Sequence, residues 1–191
     1  MNVEELGEAL RAVERELKLA RKVYRASLFL YWAWVLPGSY MFSLILEKYF
    51  SWKGSDILIA LSFVAILGFI AEERKAFKRV LQLEEVIGKA KRVSTGYILA
   101  QILIWPLSAF VATIYTETDG LWMLVFMGLG LLLLASVESV FTGSGDWRTF
   151  LAGSIILCSI TFYTGTTYAI MVISFAFSLT AYLHLKRATR E

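Results

Sequence analysis

Cysteine occurs once in the 191 residues, as Cys158, and histidine once, as His184. A lone cysteine excludes an intrachain disulfide and a thiolate metal cluster, and a lone histidine excludes a His-rich metal site. No metal or other cofactor is therefore expected. Amides are confined to Asn2, Gln82 and Gln101, and proline to Pro37 and Pro106. Scarce amides beside Lys- and Glu-rich polar segments lean toward a thermophilic source. Charge is scarce too, at 18% of residues against roughly 25% in soluble domains. There is no Gly-rich phosphate loop, no paired-Asp motif for headgroup transfer and no selectivity-filter sequence. Nucleic acid is not an expected partner.

What is abundant is apolar side chain, at 58% of the chain. One domain of this length cannot build a core large enough to hide it, whereas lipid can serve as its solvent. Uncharged runs cover Ala26–Leu46, Ile57–Ala71, Val93–Thr116, Gly120–Val137 and Thr149–Leu183. The first, third and fourth match the roughly 17–25 residues of one transmembrane helix. The second is short, at 15 residues, and Ser55 and Asp56 extend it to the interface. The last holds 35 residues, far more than a core of about 30 Å needs at ~1.5 Å per residue. The β-branched, Gly-broken stretch Tyr163–Thr167 marks a turn within it. The expected fold is an all-α integral membrane protein with six spans, near 28–46, 56–71, 94–114, 120–138, 149–162 and 168–184. A re-entrant 149–162 segment would reduce the count to five. Residues 1–26 are expected to form a cytoplasmic amphipathic helix ahead of the transmembrane domain 27–191. They carry charge throughout and lack the apolar core of a cleavable signal peptide, so targeting is expected to rest on the first span.

Basic residues set the orientation. With the N-terminus inside, all of the 19 Lys and Arg except Lys48 and Lys53 face the cytoplasm, and the outer loop near Glu117 and Asp119 is acidic. The expected location is the cell membrane, multi-pass, with both termini cytoplasmic.

Two polar segments carry helical stripes. Val3, Leu6, Leu10, Val13, Leu17, Ala20 and Tyr24 alternate steps of three and four, the spacing of a helix that packs on another helix. Ala76, Val80, Leu83, Ile87 and Ala90 repeat the pattern between spans two and three, within a cytoplasmic loop helix over 72–92. Both suit a solvated or lipid-facing surface, and both suit docking of a partner or a second protomer. Leu6, Leu10, Val13, Leu17, Val80, Leu83 and Ile87 are the docking candidates. In layout, an N-terminal interfacial helix, six spans and a cytoplasmic helix between spans two and three resemble an ABC-2-type transporter permease. That resemblance implies contact with a separate ATPase. The chain departs from the family between spans five and six, where only Tyr163–Thr167 stands in place of a sizeable element.

Within the spans, Gln101 is the deepest strongly polar side chain, and Trp105 lies one turn further on. Both are candidates for a substrate pathway or for helix packing. Glu138 falls near the inner edge of its span, where it can reach water or pair with a base such as Arg148. Pro37 and Pro106 are candidate hinges. Pro37 and Pro106, Ser39 and Ser108, and Lys22 and Lys91 keep one offset, which suggests a repeated unit of amphipathic helix plus hairpin. An enzyme reading would use Ser144, Asp146, Glu138 and His184, a set that brings rhomboid proteases to mind, but the Gly-x-Ser-Gly spacing is absent. Gly-Ser-Gly-Asp is a good turn sequence, and His184 beside Lys186 and Arg187 reads as interfacial. The sequence therefore points to a non-enzymatic, permease-like subunit of a transport system, surrounded by lipid and forming a homo-oligomer or docking another subunit. The alternative is a membrane scaffold or assembly subunit.

Overall fold

A computed structural model describes residues 3–50, 95–142 and 145–188, with positions 61, 64, 67, 68 and 82 described singly between them. The second expected span, the 72–92 helix with Val80, Leu83 and Ile87, and Ser144 lie outside the described residues. Among the described residues the fold is all helical: α1 Val3–Phe50, α2 Thr95–Tyr115, α3 Asp119–Thr142, α4 Trp147–Cys158 and α5 Thr166–Ala188. A 3₁₀ turn, Ser159–Phe162, continues α4. Four of these helices are long and apolar enough to cross a membrane: α1, α2, α3 and α5. The apolar helix Trp147–Phe162 is shorter.

The segments expected as a cytoplasmic helix ending at 26 and as the first span share one helical backbone. One helix of 48 residues runs through both. Nothing between them breaks it, since neither glycine nor proline occurs from residue 8 to 36. Ser27, the residue best suited to cap a new helix, instead donates its hydroxyl to Tyr24 O at 2.8 Å within the same helix. What changes near residue 26 is the solvent preferred by the side chains.

The docking stripe on this helix is unevenly covered. Leu17 is buried and Val13 half-buried, whereas Leu10 and Leu6 are exposed. Among the described residues of the stripe, cover increases toward its membrane-proximal end.

α1 packs most extensively on α5, while α3 contacts α2, α4 and α5. Phe29, Ala33, Leu124, Leu131, Ala152, Ile156, Ile173 and Phe177 form the shared core. Small residues set the closest approach. A Cβ on Gly153 would stand 2.8 Å from Gly128 O and 3.0 Å from Leu132 N, so α3 and α4 touch backbone to backbone. Helices in lipid gain dispersion contact and interhelical bonding from such approaches, because burial from lipid provides little hydrophobic drive. The long final apolar run turns at Tyr163–Gly165, where Gly165 has φ 149°. That conformation strains residues bearing a Cβ.

Candidate functional site

Ionisable side chains from four helices and one connection meet at a single point. Arg25 comes from α1, Glu138 from α3, Asp146 from the α3–α4 connection, Arg148 from the first turn of α4 and His184 from the end of α5. Asp146 is their common partner. Its backbone, at φ −82° and ψ 95°, is that of an N-cap, and its carboxylate accepts from Arg148 N at 3.3 Å. This satisfies one of the first-turn N–H groups that a helix leaves unpaired. Thr149 Oγ1 donates to Oδ2 at 3.1 Å, and Arg148 Nη1 donates to Oδ1 at 3.3 Å. Arg25 Nη1 lies 3.4 Å from Oδ2.

His184 Nε2 is 2.9 Å from the same Oδ2, with both side chains almost fully buried. The distance is short, but the ring N–H does not align on the oxygen, and Nε2 makes no well-formed hydrogen bond. The contact is best described as close electrostatic pairing. Phe29, one turn along α1 from Arg25, stacks on the imidazole with centroids 6.0 Å apart and meets Phe177 edge-on at 5.6 Å. These rings form the floor between the ionic cluster and the apolar core.

Glu138 pairs with Arg25, whose Nη2 donates to Oε1 at 3.1 Å. The base beside Glu138 is Arg25, while Arg148 turns to Asp146. Arg25 thus spans both carboxylates and ties α1 to α3 and to the α3–α4 connection. Its own side chain is 44% exposed, so solvent screens part of these attractions.

Burial of the Asp146 carboxyl opposes its ionisation, but adjacent His184, Arg25 and the Arg148 amide outweigh that penalty. They hold it well below the usual carboxylate range. The folded state therefore binds this proton less tightly than the unfolded state, where the pKa is about 3.9. Its stabilising contribution is fully present above about pH 4 and is lost as the medium becomes more acidic than that. The unfolding midpoints of wild type and Asp146→Asn should differ by a constant amount from neutral pH to about pH 5 and converge below pH 4. A gap that widens on acidification would contradict the assignment.

The other sequence candidates lie elsewhere. Gln101 is half-buried and donates its amide to Tyr97 Oη, one turn back on its own helix, at 2.7 Å. Trp105 covers Gly130 of α3, where an added Cβ would meet the indole at 2.6 Å, and it packs on Phe126 at 5.5 Å between centroids. Pro37 and Pro106 sit inside α1 and α2, and both helices continue past them. None of these four joins the ionic cluster. His184 was expected at an interface, yet it is buried against Asp146. The signal that could have located the pair is Asp146 at a cap position with Thr149 three residues on, together with the only histidine at the far end of the same apolar run.

An imidazole beside a carboxylate also occurs in general-base dyads. There the carboxylate orients one ring nitrogen while the other faces a nucleophile. Here Asp146 is divided among a helix cap, a hydroxyl and two guanidinium groups, and Ser144 lies outside the described residues. The arrangement is suited to tying helices together. Comparison with family models, curated proteins and solved structures finds no match.

Proposed function

We propose that the chain is a non-enzymatic membrane subunit that works by assembly, with six spans and both termini in the cytoplasm. On this reading the N-terminal half of α1 docks a second protomer or a cytoplasmic partner. The observation that carries the proposal is the length of α1. Its 48 residues extend about 72 Å, and a hydrocarbon core needs only about 30 Å. Residues 26–46 are the uncharged part, so residues 3–25, about 35 Å of helix, stand beyond the core. Leu6 and Leu10 lie on that projection with 46% and 43% of their surface exposed. Six spans require residues 56–71 and the short helix Trp147–Phe162 to cross as well. A helix of about 24 Å does so with local bilayer thinning. The bias of Lys and Arg supports the orientation.

Replacing Leu6 and Leu10 together by Glu should leave the thermal midpoint unchanged, because both are already exposed. Association on native gels, or partner capture, should be lost. An unchanged oligomeric state and unchanged partners would remove the docking role. For topology, in a Cys158→Ser background, a cysteine at Thr118 should react with an impermeant thiol reagent in intact cells, and one at Lys78 only after lysis. The opposite pattern would reverse the orientation.

A permease-like transport role is the second reading, supported by the layout of charged and apolar segments. Two observations weigh toward a scaffold instead: Gln101 is engaged within its own helix, and Leu124, Ile156 and Ile173 fill the core where the described helices meet. Labelling of a cysteine at position 101 from water would reverse that preference.

A further inference from the structure

Beside the ionic cluster lies a cavity of about 220 Å³ lined by Lys18, Arg21, Lys22, Arg25, Arg148 and His184. We propose that this cavity is a binding site for a phosphate group, carried either by an anionic lipid headgroup or by a free phosphate.

The lining is one-sided in charge. Lys18, Arg21, Lys22 and Arg25 are spaced by three and four residues and so share one face of α1. Arg148 and His184 close the cavity from α4 and α5. The nearby carboxylates are Asp146, touching Arg25, Arg148 and His184, and Glu138, touching Arg25. They offset the inner part of the wall. Lys18, Arg21 and Lys22 add positive charge on the outer side, with Arg21 and Lys22 also engaged in contacts of their own. An anion entering here meets donors on three helices.

Arg148 is the most enclosed of the lining guanidinium groups. Arg148 is 11% exposed and directs Nη1 to Asp146, while its Nε is buried without a hydrogen-bond partner. Guanidinium groups favour oxyanions because their planar donors match two oxygens at once. Trp147 flanks the same guanidinium, 5.1 Å from ring centroid to Cζ, and restrains its plane. Size narrows the ligand. The volume is below the roughly 300–1,000 Å³ of sites that enclose drug-sized molecules, and it equals about seven waters at ~30 Å³ each. A phosphate group fits this volume, and the open mouth leaves room for the molecule that carries it. Location suits a headgroup too, because Arg25 immediately precedes the uncharged run of α1 and His184 immediately follows that of α5. Basic clusters at that level attract anionic lipid.

The test uses the full chain in an uncharged detergent, with the unfolding midpoint followed by intrinsic tryptophan fluorescence. Inorganic phosphate is compared with chloride at matched ionic strength, and phosphatidic acid with phosphatidylcholine in mixed micelles. At a hundredfold excess over Kd, bound phosphate should raise the midpoint by about 5–10 °C. Stabilisation by inorganic phosphate alone identifies a free-anion site, and stabilisation by phosphatidic acid alone identifies a headgroup site. Lys18 is exposed, so Lys18→Glu should fold normally and weaken binding by about tenfold or more. The proposal is overturned if neither probe stabilises the protein, or if Lys18→Glu responds as wild type does.

Discussion

Asp146→Asn should lower the unfolding free energy by about 3 kcal/mol, the low end of the ~3–5 kcal/mol that follows removal of one partner from a buried ionic pair. The low end applies because Arg25 is partly exposed and keeps Glu138 at 3.1 Å. Asparagine is nearly isosteric and caps helices well, so the variant removes the charge while leaving the α4 cap in place. Asp146→Ala removes both, and a further loss of about 1 kcal/mol is expected. Denaturant unfolding in mixed micelles, followed by fluorescence, separates the two contributions. If Asp146→Asn unfolds like wild type while Asp146→Ala does not, capping alone matters and the ionic cluster contributes nothing. If both unfold like wild type, the convergence of Arg25, Arg148 and His184 on one carboxylate has no energetic meaning.

The second large effect belongs to Gly153. Alanine there adds one methyl group at a point where α3 presents main chain, 2.8 Å to Gly128 O and 3.0 Å to Leu132 N. A side chain can rotate away from such an intrusion, whereas helical backbone can yield only if the whole helix moves. Separation of α3 and α4 would in turn loosen the fully buried Ile156 and Leu124. Overpacking typically costs about 1–3 kcal/mol, and the upper half of that range is expected. Gly38 provides the control, since nothing lies within 4 Å of an added Cβ there. Gly38→Ala should be neutral or mildly stabilising, because glycine is the poorer helix former by roughly 0.8–1 kcal/mol. Equal midpoints for Gly153→Ala and wild type would mean that the two helices are not in contact.

The apolar helices were legible in the sequence because lipid imposes a length and a composition on whatever crosses it. Thr95–Tyr115 and Asp119–Thr142 declare themselves by uninterrupted runs between charged residues. The turn ahead of Thr166 was legible for a different reason: 35 apolar residues exceed what the bilayer accommodates, and Gly165 can adopt the conformation that relieves the excess. The continuity of α1 was not legible. A change from charged to apolar composition looks like a boundary, but backbone hydrogen bonding is indifferent to the medium outside it. The Asp146–His184 pairing was hidden because the two residues are far apart in sequence and each has local neighbours that explain it adequately. Asp146 reads as a turn residue and His184 as one of several basic residues at a helix end. Only the packing of α5 against α3 and α4 brings them together. Gln101 and Trp105 attracted notice through polarity and size, properties that helix packing uses as readily as a pathway does.

Arg25 lies almost midway along α1, at the point where the helix is held by Glu138 and Asp146. Mechanically, an unbroken helix pinned there is a lever with its fulcrum at the clamp. A tilt of about 10° in the segment beyond Ala26 sweeps the Val3 end through about 6 Å, given an arm of about 35 Å. A small change in bilayer thickness on one side of the fulcrum thus becomes a displacement the size of a side chain on the other.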